Sequence, residues 1–444
     1  MIEQALLLLE EKKFSQLKKL LCELQAIDIA EIIHEVPKEK QILVFRILPK
    51  ELAAETFVEM DSDTCEVLIK AFSDRELREI VNELFVDDMV DIIEEMPANV
   101  VHRILASADA DVREDVNLIL QYPKDSAGSI MTTEFVSLKE GMTVADAFDK
   151  IRRVGHDKET IYTCYVTDST RRLLGIVTVR SLLLANKDVL VRDLMETSIV
   201  SAKTTDDKEE VAVMFEKYGF LTVPITDNEN RLVGIVTVDD ALVVIKEADT
   251  EDIEVMAAIT PTDKSYMKTG VFETWKKRVP WLLLLMISAT FTGKIISFFE
   301  EALAAQVVLT AFIPMLMDTG GTAGGQTSVT IISGLSLGEI EIKDLFRVVW
   351  KEFRVAVLCG LTLTVVNFLK LLFIDRVSMM VAAVVCITLL ATVLMAKVVG
   401  GMLPILAKKV GADPAVMASP FITTIVDALS LLVYFNVATA LLGM

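Results

Sequence analysis

One carboxylate stands inside a long apolar stretch near the C-terminal end. Asp427 follows Ser419-Pro-Phe-Ile-Thr-Thr-Ile-Val and precedes 17 uncharged residues. An aspartate at that depth of a membrane span is costly, so it faces either a water-filled path or an opposite charge. The opposite charges on offer in neighbouring apolar segments are Lys397 and Lys370. Unpaired, the carboxylate's chemistry is attraction of a cation. Ser419 and Thr423 precede Asp427 by two turns and one turn, on about the same helical face. Their hydroxyls can reach the waters of an ion, or bond back to carbonyls of their own helix. Asp318 opens the run Thr319-Gly-Gly-Thr-Ala-Gly-Gly-Gln-Thr-Ser. It reads as the end of a second span, either capping the following turn or lining an ion pathway. The spacing Gly320…Gly325-Gln326-Thr327 imitates a phosphate-binding loop, but Gln replaces the required Lys and no soluble strand precedes it. Nucleotide binding is excluded there. Glycines this dense permit close helix approach or a broken helix.

A second population of carboxylates lies far from these spans. Asp87, Asp88 and Asp91 sit at a junction of helical hairpins; Glu209 and Glu210 open a later helix; Asp239, Asp240, Glu247, Asp249, Glu251 and Asp252 crowd a segment beyond it. Singly, each reads as a solvated surface group. As a set they lack neutralising partners: residues 1–270 carry 53 Asp+Glu against 31 Lys+Arg, whereas residues 271–444 carry 11 against 13. An acidic surface repels nucleic acid, whose binding needs Lys and Arg against phosphate, and it suits cations. Two carboxylates about 4 Å apart repel by roughly 4 kcal/mol at an effective dielectric of 20. A bridging divalent ion reverses that sign, and a few such bridges supply the roughly 5.5 kcal/mol that swings a two-state gate.

The elements that must position these groups are legible. Residues 1–127 show apolar residues at helical spacing broken at Pro37, Pro49, Pro97 and Pro123. Ile29-Ala-Glu-Ile-Ile-His-Glu-Val-Pro echoes Met89-Val-Asp-Ile-Ile-Glu-Glu-Met-Pro, which predicts an all-helical superhelix of repeated hairpins. A second repeat follows. Arg172-Leu-Leu-Gly-Ile-Val-Thr-Val returns as Arg231-Leu-Val-Gly-Ile-Val-Thr-Val, behind Tyr165-Val-Thr-Asp and Pro224-Ile-Thr-Asp, and the units open at Ile130-Met131 and Leu194-Met195. Strand, turn, strand and helix in this order predict two α/β units that pack as a pair. From Val279 onward five segments are long and apolar enough to span a bilayer, provided Lys294, Lys370 and Lys397 snorkel or face protein. Lys276-Lys-Arg, the cluster Lys343 to Arg354, and Lys408-Lys409 then share one side. That side is cytosolic by the positive-inside rule, the acidic half lies with it, and the C-terminus lies outside. The N-terminal residues show no basic n-region or cleavage signal. The five scattered cysteines read as reduced thiols. The three histidines are scattered as well, and no catalytic constellation is visible, which argues against an enzyme.

The tandem α/β unit resembles a pair of cystathionine β-synthase (CBS) domains. Taken in order, the helical repeat, the CBS pair, and five spans containing Pro314-Met-Leu-Met-Asp-Thr-Gly-Gly and Asp413-Pro-Ala resemble the MgtE family of magnesium channels over nearly the whole chain. The resemblance implies a multi-domain protein: a superhelical all-α N domain (1–127), CBS domains at 128–193 and 194–250, a connecting helix (251–278), and an all-α transmembrane domain of five helices (279–444). It implies a homodimer in the inner membrane with the pore on its axis, and Mg²⁺ as both transported and regulatory ion. Asp427 then matches the pore carboxylate. Asp88, Asp91, Glu209, Asp240 and Glu251 match regulatory magnesium positions, whereas Val243 and Gly219 stand where some relatives carry acids. Ser419 stands where family members often have Asn or Gly. Mg²⁺ sheds its waters reluctantly, so one Asp per protomer suits a hydrated ion held between two carboxylates and released again. CBS pairs often bind adenine nucleotides through Thr-x-x-Asp, present at Thr237 and Asp240; in the first repeat Thr178 is followed by Arg180 and Ser181 and the Asp is missing. ATP is therefore an expected ligand of the second repeat. The linking stretch from about Thr262 to Arg278, with Trp275 beside Lys276, is expected to lie in the membrane interface. The alternative reading is a secondary transporter of another divalent cation such as Co²⁺ or Mn²⁺.

Overall fold

The computed structural model describes residues 2–262, 266, 269–300 and 306–442. It divides into two compact units, Met1–Ile245 and Lys246–Met444.

The first unit begins with helices α1 (Ile2–Glu10) to α10 (Ala110–Ile119), and their boundaries follow from local chemistry. Pro37, Pro49 and Pro97 each stand at the N-cap of the next helix, where no backbone N–H is required. Asp61 accepts the Thr64 N–H at 2.8 Å, and Ser73 with Glu76 forms a reciprocal capping box. The two echoing segments fall on α3 (Ala26–Glu35) and α8 (Val86–Glu95). Ile29, Ile33 and Val36 of the first, and Met89, Ile93 and Met96 of the second, occupy equivalent buried positions.

Each α/β repeat forms a three-stranded sheet. The first contains β1 (Phe135–Leu138), β2 (Thr160–Thr167) and β3 (Leu173–Thr178); the second contains β4 (Ala202–Lys203), β5 (Thr222–Thr226) and β6 (Leu232–Thr237). In both, the first pair is parallel and the second antiparallel. The two repeats are interleaved. Thr132, opening the first repeat, bridges to Ile235 of β6, and Glu196, opening the second, bridges to Ile176 of β3. Met131 thereby packs where a side chain at Gly234 would stand, and Met195 does the same at Gly175. The buried Tyr165 hydroxyl donates to Thr222 Oγ1 across the pair at 2.7 Å. Each sheet is thus extended by a bridge from the segment that opens the other repeat, which ties the two repeats together as a pair. The last helix of this region, α15, runs from Val238 to Met256 without a break at the expected boundary after residue 250.

Among the described residues, the second unit carries five helices long and apolar enough to cross a membrane. They are α16 (Val271–Phe298), α17 (Ile313–Ser336), α18 (Leu345–Phe373), α19 (Met379–Lys409) and α20 (Ser419–Leu442). The second of these differs from its expected place. Asp318 does not end a span: it lies in the second turn of α17, which continues unbroken through the glycine run for 24 residues. The glycines serve close approach rather than a break. A methyl group at Gly321 would lie 2.8 Å from Thr423 Cγ2, and one at Gly324 would lie 2.7 Å from Ile422 Cγ2, so α17 and α20 touch almost backbone to backbone. Helix α19 crosses the same region, where a methyl at Gly400 would run into the Gly324 carbonyl. Gly400→Ala is accordingly expected to cost about 1–3 kcal/mol through overpacking. A lower thermal midpoint of the purified protein in detergent checks it.

The basic, aromatic stretch is helical from Val271 onward. Trp275, Lys276, Lys277 and Arg278 belong to the first turns of α16 itself, which continues through Pro280 into the apolar run without a break. Residues 263–265 and 267–268 of the expected linker lie outside the described residues.

Candidate ion pathway and carboxylate clusters

Helix α20 enters through a short 3-10 turn, Pro414–Met417, whose Asp413 caps it by accepting the Ala415 N–H at 2.7 Å. Asp427 follows on α20, half-buried. Among the described residues no ion pair engages it. Its lysine candidates are occupied elsewhere: Lys370 pairs with Asp375 at 3.2 Å, and Lys397 Nζ donates to Thr327 Oγ1 at 3.2 Å. The charged side chain whose field reaches Asp427 is Asp318 on α17, itself exposed. Thr423 Oγ1 donates back to the Pro420 carbonyl at 2.9 Å, leaving its lone pairs as acceptors. Ser419 begins α20, but its side chain lies outside the described residues. One turn beyond Asp427, the hydroxyls of Thr392 and Ser430 are buried without a hydrogen-bond partner beside Gly320.

In the first unit, α8 and the CBS pair bring carboxylates together. Asp87 is buried, and burial followed by the charges of Asp240, Glu159 and Asp88 holds it well above the usual carboxylate range. Asp88 is pushed up to about 7, first by burial and then by Asp240, Asp239, Glu134 and Glu59. Glu159, at the foot of β2, is pushed up to about 8 by burial and by Asp88, Asp239 and Asp240. Burial also lifts Asp240 to about 6, against the opposing pull of the Thr237 hydroxyl, which donates to Asp240 Oδ2 at 2.7 Å. Glu134 is raised by burial too, and it accepts the Val86 N–H at 3.0 Å, capping α8 from the CBS side. The cluster joins Asp88 and Asp240 of the expected set. Asp91 is exposed on the same helix, and Glu209 and Glu251 are exposed at their own helices, outside this cluster.

Asp87 stands out in the sequence beside Asp88 and Asp91, whereas Glu134 and Glu159 do not. Glu134 and Glu159 precede strands of the first repeat, and nothing in their local pattern marks them. A further pair lies in the second unit. Asp252 on α15 is raised by burial and then by Asp413, Asp249 and Glu251. Val255 and Met256, one turn on, pack against Ile332, Ala415 and Ala418 at the entry to α20. Among the described residues no three His, Cys, Asp or Glu converge tightly enough to hold a metal ion directly. The donors are all hard carboxylate oxygens, which suits an ion that keeps its waters.

The family models agree with this geometry in chain order. "MgtE intracellular N domain" matches residues 24–125, "CBS domain" matches 127–188 and 191–247, and "Divalent cation transporter" matches 313–437. Magnesium transporter MgtE of Thermus thermophilus is 35% identical over 438 residues, covering 98% of this chain and 97% of that one. Its Bacillus subtilis counterpart is 34% identical over 445 residues, covering 99% and 97%. Among solved structures, the cytosolic domain of the Mg²⁺ channel MgtE in complex with ATP aligns with a TM-score of 0.52 and 35% identity, covering 55% of this chain and all of that one. With its domain order matched by family models and its length matched end to end by curated relatives, this chain belongs to the MgtE family of magnesium transporters.

Proposed function

We propose that the protein is a Mg²⁺-selective channel whose pore lies on the axis of a homodimer and passes hydrated Mg²⁺. The observation that carries this reading is Asp427, half-buried in the middle of α20, facing Asp318 and engaged by no described lysine. Two copies would present paired carboxylates to an ion still in its water shell, attracting divalent charge without binding it so tightly that it cannot leave. Thr423, with its hydroxyl proton committed to Pro420, offers an acceptor to those waters, and Ser419 stands one turn nearer the cytosol.

Closure follows when cytosolic Mg²⁺ rises. The buried Asp87 and the half-buried Asp88, Glu159 and Asp240 repel one another in the metal-free state, and Mg²⁺ converts that repulsion into attraction between α8 and the CBS pair. Asp91, Glu209 and Glu251, exposed at their own helices, are proposed as further regulatory ligands. The end of α15 supplies a lever: Val255 and Met256 press on Ala415 and Ala418, immediately before α20 begins.

A second role belongs to the CBS pair. A relative's cytosolic domain has been solved with ATP, and this chain keeps Thr237 and Asp240 in the Thr-x-x-Asp arrangement, hydrogen-bonded to each other. We assign ATP to this site, with Asp240 shared between nucleotide and metal-sensing cluster, so the two ligands should compete. Titrating ATP with and without Mg²⁺ is expected to show weaker ATP binding when Mg²⁺ fills the cluster. ATP affinity unchanged by Mg²⁺ refutes the shared-residue assignment.

The decisive experiment is flux from purified protein in liposomes, across Mg²⁺, Co²⁺ and Mn²⁺, at several Mg²⁺ concentrations on the cytosolic face. Passive, Mg²⁺-selective flux that falls as that concentration rises is expected. Flux coupled to a proton or sodium gradient, or preference for Co²⁺ or Mn²⁺, favours a secondary transporter instead.

A further inference from the structure

Lys397 is the most deeply buried charge described in the membrane-spanning unit, 6% exposed, and its position calls for a counter-charge. The structure supplies one indirectly. Lys397 Nζ, on α19, donates to Thr327 Oγ1 of α17 at 3.2 Å, and that hydroxyl donates in turn to Glu352 Oε2 of α18 at 3.0 Å. The Thr327 hydroxyl has a competing acceptor on its own helix, the Ala323 carbonyl at 3.3 Å, but the carboxylate is nearer. Ammonium, hydroxyl and carboxylate therefore form a neutral chain across three helices, each hydrogen bond polarising the next.

The chain sits where these helices approach most closely. Gly324 and Gly400, three residues from Thr327 and Lys397 respectively, meet backbone to backbone. A methyl at Gly401 would lie 3.4 Å from Glu352 Cγ and 3.5 Å from Thr327 Cγ2. The next residue along α17 extends the connection: Ser328 Oγ donates to the Met417 carbonyl at 2.8 Å, in the turn that leads into α20. One turn of α17 thus grips α18 and α19 through Thr327 and the entry of α20 through Ser328. Nine residues earlier on the same rigid helix stands Asp318, about 13–14 Å away at 1.5 Å per residue.

We infer that Lys397, Thr327 and Glu352 form a charge-balanced clasp that sets the axial position of α17, and with it the placement of Asp318 against α20, so that all three are positioning residues for magnesium transport. Sliding α17 by even a fraction of a turn breaks the chain and leaves the buried Lys397 without its counter-charge.

The test uses the full-length protein in liposomes. Lys397→Met and Glu352→Gln are each expected to reduce Mg²⁺ flux about tenfold or more, since each strands the other's charge. The double variant Lys397→Met/Glu352→Gln removes both charges together and is expected to recover flux to within about threefold of wild type, because a neutral replacement of a buried pair is often tolerated. Thr327→Val, nearly isosteric, should resemble the single charge variants, whereas Thr327→Ser keeps the hydroxyl and should rescue. A merely space-filling role predicts the opposite order, with the double variant worse than either single and Ser no better than Val. Either that order, or wild-type flux from both Lys397→Met and Thr327→Val, overturns the clasp. If Lys397→Met does not yield folded protein, the Val and Ser comparison at Thr327 decides the matter alone.

Discussion

Asp427→Ala is expected to reduce Mg²⁺ uptake into proteoliposomes to near background, at least about a hundredfold, while leaving the protein folded. The physical basis is the loss of the charge that opposes dehydration and repulsion at mid-membrane. A unit charge about 4 Å from a monovalent one contributes roughly 4 kcal/mol at an effective dielectric of 20, and a divalent ion doubles the gross figure. Water between ion and carboxylate reduces that value but leaves more than the ~2.7 kcal/mol that a hundredfold change requires. Asp427→Asn should fail almost as badly, because the amide keeps the size and loses the charge. Asp427 makes no described ion pair, so its removal strands no partner and folding should survive. Asp318→Asn is expected to weaken flux less, since Asp318 is more exposed and reaches the same region from α17. Uptake at wild-type level from Asp427→Asn refutes the pore assignment.

The second large effect concerns the acidic cluster and is a matter of sign. Asp88, Glu159 and Asp240 stand at about 7, 8 and 6 in the folded protein, whereas unfolded carboxylates titrate near 4. Between pH 4 and pH 8 the folded state therefore binds more protons than the unfolded state, and stability falls as pH rises through that window. Metal-free protein comprising residues 1–245 is expected to melt lower at pH 8 than at pH 5.5. Mg²⁺ should recover the loss at pH 8 and add little at pH 5.5, where protons already occupy the carboxylates. The double variant Asp88→Asn/Asp240→Asn should raise the metal-free midpoint at pH 8 by several degrees. Relief of about 2 kcal/mol corresponds to about 4–8 °C in a region of this size. The same variant should forfeit most of the Mg²⁺-induced shift, and in the full chain it should keep conducting at millimolar cytosolic Mg²⁺. A midpoint that rises with pH in the absence of metal, or a Mg²⁺ shift undiminished in the variant, refutes the cluster as sensor.

The two carboxylate populations ask opposite things of their surroundings. At Asp427 the fold keeps a half-buried carboxylate inside a span, where the proposed channel needs a charge that attracts and releases an ion. At Asp87, Asp88 and Asp240 it gathers partly buried carboxylates whose charges raise one another's pKa. Between them, in the second unit, the contact of α15 with Ala415 and Ala418 places the end of the last CBS helix against the first turn leading to Asp427.

Much of this was readable from one dimension, because it depends on local chemistry or on periodicity. Hydropathy alone separates the acidic region from five spans, prolines and capping residues mark the ends of the N-domain helices, and the near-identical strands at Leu173 and Leu232 announce paired sheets. Asp427 stands out by composition, since a lone acid among uncharged residues is conspicuous without any coordinates. What tertiary structure decided is who meets whom. The glycine run after Asp318 was compatible with a break or a close crossing, and packing against Thr423 and Ile422 selects the unbroken helix. Lys397 was a potential partner for Asp427 until three-helix packing gave it Thr327 and Glu352 instead. Glu134 and Glu159 join Asp88 only because β1 and β2 carry them to the start of α8. Such meetings are set by side chains distant in sequence whose burial is shared, and no local pattern records a neighbour that the chain reaches only by folding.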